Sequence, residues 1–357
     1  MSINWLPYCK RTSISLYPRV VSVTKITSIF FLITLFFFFS THDSSKLYAV
    51  HTQACTFCKP HPNLYCPWFT SPLIIPFRYV VEYPLTLLEP YLYITTEYAK
   101  YDNHWTTRSN PNFVSTSISL IYDYGFYPRF DYQIMGQFSW NQTQGVSDWV
   151  INDTLLYLDY QFLMEDYCKW YPSIKLGFIG VLPTGKYQRL NPKKLETDLG
   201  GLGNWAPGLL AVFSKRFILG SHFFYPMFSA SYNLGVPVNV KGANAYGGGH
   251  GTKGRIHPGN ELTLIFSYEF TFNQNWVLAC DHIYIHRNRS RFSGRVGKTN
   301  GVPNTVGEPS SEQFSLAPAI EYNWSANGGV ITGVWFTVAG RNSEAFASYV
   351  TAAYVQF

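Results

Sequence analysis

From about residue 88 onward, apolar and polar side chains alternate with a period of two. Leu262, Leu264, Phe266, Tyr268, Phe270 and Phe272 share one face, against Glu261, Thr263, Ser267, Glu269 and Thr271, and only Ile265 breaks the pattern. Phe130, Tyr132, Ile134, Phe138 and Trp140 stand in the same way against Arg129, Asp131, Gln133, Met135, Gln137 and Ser139. Leu156, Leu158, Tyr160 and Phe162 oppose Asp153, Asp159 and Gln161. Phe314, Leu316, Ile320, Tyr322 and Trp324 oppose Ser315, Ala317, Glu321 and Asn323. Successive side chains on a strand point to opposite faces, so each segment has an apolar wall and a polar wall.

Strand-like segments lie near residues 88–98, 112–122, 126–140, 148–163, 170–182, 204–218, 221–236, 260–273, 276–287, 312–324, 327–339 and 344–357. Tight links are expected at 123–125, 219–220, 274–275 and 325–326, and long ones at 100–111, 183–203, 237–259 and 288–311. Short turns at one end and long loops at the other are the habit of bacterial outer-membrane barrels. The expected fold class is therefore all-β, an antiparallel transmembrane β-barrel of about 12 strands. It must close, because an open sheet edge in lipid leaves backbone donors and acceptors unpaired. The last strand alternates through Tyr349, Thr351, Ala353 and Val355 to a terminal Phe357, the pattern of an insertion signal. The lipid bilayer and the outer-membrane insertion machinery are the partners this implies.

Composition agrees with the pattern. Charged residues are 13% of the 357, against roughly 25% in an ordinary soluble domain. Aromatic residues reach 18%, enough apolar surface to exclude intrinsic disorder. The mean hydropathy of −0.05 does not fit a helical membrane protein.

The first 49 residues read as an export signal. Lys10, Arg11, Arg19 and Lys25 precede the apolar run at 26–39, and a polar stretch at 40–45 then leads to Leu47-Tyr48-Ala49, with the small Ala49 at the cut. The run is shorter than the roughly 20 residues a spanning helix needs. Much of the net charge of +6 sits in this segment, so the remainder is nearly neutral. A nucleic-acid partner, which would want a concentrated basic face, is not expected. Residues 50–87 are rich in Pro, Cys and aromatics and alternate poorly; they form either a periplasmic leader or a plug for the lumen. Cys55, Cys58 and Cys66 form a disulfide cluster in an exported chain, and one of them could join an envelope partner. The barrel occupies 88–357.

The expected inner wall carries Arg129, Asp131, Gln133, Gln137, Asp153, Asp159, Gln161, Lys175, Glu261, Glu269, Asp281 and Glu321. These residues serve either as ordinary lumen polarity or as a selectivity lining, the excess of acids favouring cations or neutral solutes. No catalytic, cofactor or metal residues are assigned. The run 297–299 lacks the first Gly of a phosphate loop, and Ser221 and His222 point to opposite faces of a strand.

The segment Gly180-Val181-Leu182-Pro183-Thr184-Gly185-Lys186-Tyr187, followed by Leu199-Gly200-Gly201-Leu202-Gly203, resembles the MetA-pathway of phenol degradation family. The resemblance covers roughly residues 88–357 and rests on Pro183, Thr184, Gly185 and the Gly-rich stretch. It implies an exported outer-membrane barrel taking up small hydrophobic or aromatic compounds, and no enzyme. The expected function is thus a passive channel in the bacterial cell outer membrane. The alternative is a structural or adhesive envelope barrel, cross-linked through its N-terminal cysteines.

Overall fold

The computed structural model describes residues 64–166, 169–299 and 301–357. Twelve antiparallel strands form the barrel. They are β1 (Thr86–Tyr101), β2 (Thr107–Tyr127), β3 (Phe130–Thr143), β4 (Thr154–Leu163), β5 (Ser173–Leu182) and β6 (Ala206–Ser214). The second half is β7 (His222–Asn233), β8 (Glu261–Thr271), β9 (Trp276–Arg287), β10 (Ser311–Ser325), β11 (Gly328–Arg341) and β12 (Glu344–Gln356). Each strand pairs with its sequence neighbours, and β12 returns to β1 with Leu88 opposite Val355 and Ile94 opposite Tyr349. No edge remains to be covered.

The period of two decides which side of the wall each residue faces. On β8, Leu262, Leu264, Phe266, Tyr268 and Phe270 face outward, while Glu261, Thr263, Ile265, Ser267, Glu269 and Thr271 are buried inside. Outward side chains include Ile118, Leu120, Phe138, Leu158, Leu176 and Phe178, all exposed and apolar. A face of that kind is stable against hydrocarbon, not water. At the end holding both barrel termini, Tyr127, Phe162, Phe272, Trp276 and Trp324 are exposed on the outer face, where a girdle at the lipid interface belongs.

Loop lengths segregate by end. Residues 128–129, 215–221, 272–275 and 326–327 turn the chain at the termini end, whereas 183–205, 234–260 and 288–310 cover the other. Three boundaries differ from the sequence expectation. Residues 123–125 lie inside β2, and the turn falls at Pro128 and Arg129, where Arg129 adopts a left-handed φ of 69°. The long link expected at 100–111 shrinks to 102–106, because β1 and β2 run on past the rim. The segment expected as one strand at 148–163 is two. Val146–Ile151 folds back on β3 as a hairpin, and Asn152 and Asp153 then lead into β4.

The outer loops build a second small sheet. Val238–Lys241, Lys253–His257 and Arg291–Arg295 pair antiparallel. Val238, Val240 and Ile256 are buried on its inner side, with Leu190, Leu199, Ala245 and Tyr246.

Candidate functional site in the barrel lumen

Residues 64–81 run inside the barrel, and exposed residues 82–84 lead from them into β1. Leu73, Ile74 and Ile75 are at most 4% exposed, and they pack on inward side chains of the wall such as Tyr91, Tyr93, Ile121, Met135, Tyr157, Ile265 and Trp335. A segment without a hydrogen-bond ladder leaves backbone N–H groups that must find acceptors once they are dry. The wall supplies them with carboxylates. Glu321 accepts from the Thr70 N–H at 2.9 Å and the Thr70 hydroxyl at 2.8 Å. Asp281 accepts from the N–H groups of Ile74 and Ile75 at 3.0 and 3.3 Å. Asp131 accepts from the Val81 N–H at 2.6 Å, and the Gln161 amide oxygen from the Val80 N–H at 3.2 Å.

One side chain of the segment carries charge to the wall. Arg78 donates both Nη atoms to the Glu269 carboxylate, at 2.7 and 3.1 Å, and both groups are buried. Its guanidinium lies 4.7 Å from the Phe69 ring centroid and 4.3 Å from that of Tyr225. This fork geometry on a carboxylate is the strong form of an ion pair. Beside it, the Tyr79 hydroxyl donates to Glu165 at 2.8 Å.

Of the residues expected on the inner wall, Asp131, Gln161, Glu269, Asp281 and Glu321 thus contact the N-terminal segment. Asp159 and Lys175 pair with each other at 2.5 Å, both buried. Gln133 and Gln137 are buried on the interior face of β3. Arg129 is misplaced by the sequence expectation: it is exposed in the turn before β3, where the strand's alternation has ended. The interior also holds an apolar cluster, whose members include Met135 and Ile265 on the face the alternation assigned to them. Met135 and Ile265 sit at positions whose neighbours are polar, and both are inside.

At the outer rim, Asp153 gathers the motif that carries the family resemblance. Its Oδ1 accepts from the Gly185 N–H and its Oδ2 from the Leu202 N–H, each at 2.8 Å. Pro183 ends β5, and the Thr184 hydroxyl donates to the Asn152 carbonyl at 2.9 Å. Gly201 is required by contact: a Cβ there would stand 2.1 Å from Asp153 Oδ1. Burial pushes the Asp153 carboxyl above its ordinary range, against the pull of the N–H donors. The motif is therefore a loop clasp at the mouth. Beneath it lies a cavity of about 60 Å³, lined by Leu155, Val181, Leu202, Leu234 and Tyr246 with the Glu261–Arg287 ion pair.

Among the described cysteines, Cys66 is in a disulfide and Cys280 is a free thiol. Cys55, Cys58 and the expected export signal at 1–49 lie outside the described residues. Tyr349 and Val355 face outward on β12, opposite Ile94 and Leu88, and Phe357 exchanges both backbone hydrogen bonds with Thr86.

No protein-family model and no curated protein sequence matches the chain. Solved structures do. The crystal structure of the COG4313 outer membrane channel from Pseudomonas putida F1 aligns with a TM-score of 0.61 at 12% identity, over 80% of this chain and 100% of that one. The chain has the fold of an outer-membrane β-barrel. The β-domain of the Bordetella autotransporter Brka aligns less well, with a TM-score of 0.40 at 9% identity, over 76% of this chain and 99% of that one. A TodX monoaromatic hydrocarbon channel lacking two segments (deltaS2S3) gives a TM-score of 0.31 at 12% identity, over 77% of this chain and 91% of that one.

Proposed function

We propose that this barrel is a passive channel of the bacterial outer membrane for small hydrophobic or aromatic solutes, closed at rest by residues 64–85. The observation that carries the reading is the character of the interior. A water-filled pore has a polar wall. This wall instead mixes Tyr91, Tyr93, Ile121, Met135, Leu155, Ile265 and Trp335 with its acids. The outer cavity sets Leu155, Val181, Leu202, Ala206 and Leu234 beside a few polar groups, Asp153, Asn204, Asn233 and the Glu261–Arg287 pair. Such a path favours an apolar body with few polar groups. The COG4313 neighbour is itself an outer-membrane channel, and the Pro183-Thr184-Gly185 loop resembles the phenol-degradation family. Residues 1–49 are proposed as the export signal that delivers the chain.

The segment at 64–85 is proposed as the gate. Its contacts with the wall are hydrogen bonds to side chains, the Arg78–Glu269 ion pair and the apolar packing of Leu73, Ile74 and Ile75, which can be exchanged without breaking the barrel's own ladders. The test is single-channel conductance and aromatic-solute uptake into liposomes, for the natural chain and for Arg78→Ala. The expected result is low ion conductance in the natural chain, higher conductance in the variant, and solute uptake by both. Absence of uptake by either, with a folded barrel and thiol-dependent oligomers on gels, would sink the channel reading. It would favour the structural, cross-linked alternative.

A further inference from the structure

The near-neutral charge of the barrel hides a concentrated basic surface on its outer loops. Residues 234–260 and 288–307 contain Lys241, Lys253, Arg255, Arg289, Arg291, Arg295 and Lys298, and no Asp or Glu. The three-stranded cap sheet gathers five of them. Pairing aligns Lys241 with Lys253 and Lys253 with Arg295 in one row. It places Asn239, Arg255 and Ser293 in the next, and His257 beside Arg291. All eight side chains lie on the exposed face. The opposite face holds Val238, Val240 and Ile256 in the loop core, so the sheet cannot turn its charges away.

Like charges directly opposite one another on a sheet are destabilising. Among the described residues, none of the five cations in the sheet has a carboxylate within ion-pair distance; Arg295 Nε donates only to the Gly251 carbonyl, at 2.8 Å. The rows are spaced roughly 4.8 Å between strands and roughly 7 Å between alternate residues along a strand. That grid suits several anionic groups held a few ångströms apart on one molecule. The face carries no Phe, Tyr or Trp, which argues against a single-stranded nucleic acid, because that ligand needs stacking platforms.

We infer that the exposed face of the cap sheet is a docking surface for a phosphorylated saccharide, the headgroup of the glycolipid that forms the outer leaflet around the barrel. Lys241, Lys253, Arg255, Arg291 and Arg295 bind its phosphates. Held this way, the cap stays seated over the outer cavity. The inference does not depend on what the lumen conducts.

The experiment uses the full folded chain in neutral detergent. Its binding to lipopolysaccharide is compared with binding to the same material stripped of phosphate, to inorganic phosphate and to double-stranded DNA. The expected result is saturable binding to intact lipopolysaccharide that weakens steeply with salt and is lost on dephosphorylation. The variant K241Q/K253Q/R255Q/R295Q should bind about a hundredfold more weakly, with unchanged heat-modifiable migration and conductance. Lys241→Arg with Lys253→Arg should keep the affinity. Equal binding by the dephosphorylated material or by the glutamine variant would overturn the proposal. So would tighter binding of DNA, or full displacement by inorganic phosphate at matched phosphate concentration. If the glutamine variant fails to fold, the dephosphorylation and salt arms on the natural chain still decide.

Discussion

Arg78 and Glu269 are the residues on which the filled lumen turns. Both are buried and joined by two hydrogen bonds, so removing one leaves the other charged and dry. Breaking a buried pair by removing one partner costs about 3–5 kcal/mol. Arg78→Met should therefore lower the unfolding free energy of the lipid-embedded protein by about that amount, read as a fall in its urea midpoint. Arg78→Met with Glu269→Leu should recover much of it, a double-mutant cycle read from the same unfolding curves. Gly201 predicts differently. Its missing Cβ lets the chain pass Asp153, so Gly201→Ala should loosen the 183–203 loop and raise its protease sensitivity, leaving the barrel's unfolding midpoint unchanged. The alternation of Asp131, Asp281, Glu269 and Glu321 with apolar neighbours made their inward direction legible from the sequence. Their partners were not legible: Asp131 and Asp281 take backbone N–H groups of residues 74–81, Glu321 takes the Thr70 N–H and hydroxyl, and Glu269 takes Arg78, all from a segment with no side-chain period to mark it. Met135 and Ile265 stand on the inward side that the alternation gives them, and a lumen filled by its own chain tolerates apolar side chains there.

Loops and hairpins respond to pH where their clasps are ionic. The hairpin Val146–Ile151 carries Asp148, whose carboxylate accepts from Lys194 Nζ in the 183–205 loop. That hydrogen bond holds the Asp148 carboxyl below its ordinary range and the Lys194 ammonium above its own. A lowered carboxyl contributes fully above its unfolded value and is lost as pH falls through the folded one; a raised ammonium is lost only as pH rises past its own higher value. The clasp should therefore hold across the neutral range and open only as pH falls below the ordinary carboxylate range. The protection of amides in residues 186–198, corrected for the slower intrinsic exchange in acid, should fall at that point, and Lys194→Met should abolish the step. Strand positions in the barrel were legible to within a few residues because each carries its own period. The hairpin at 146–151 was not, since its residues continue the alternation of β4 and only Asn152 and Asp153 interrupt it. Nor was the cap sheet, whose strands come from two loops on either side of β8 and β9 and carry no local signal of their pairing.

The whole molecule is a cylinder with an apolar exterior, two girdled ends and a covered mouth. Its outer face, with Ile118, Phe138, Leu158 and Phe178 exposed, should keep it insoluble without detergent. Circular dichroism should show strand with almost no helix. Tryptophan fluorescence offers a finer check. Trp276 and Trp324 sit at the termini end and Trp149 in the hairpin beyond the other rim, so quenchers placed shallow in the bilayer should outperform deep ones. Stronger quenching from the bilayer centre would contradict the placement.

The seam between β1 and β12 carries one more consequence. Leu88 and Ile94 find their partners, Val355 and Tyr349, in β12, the strand furthest from β1 in chain order. The cylinder can be zipped only once β12 has been made. A chain lacking that strand would meet the membrane as an open ribbon with two raw edges.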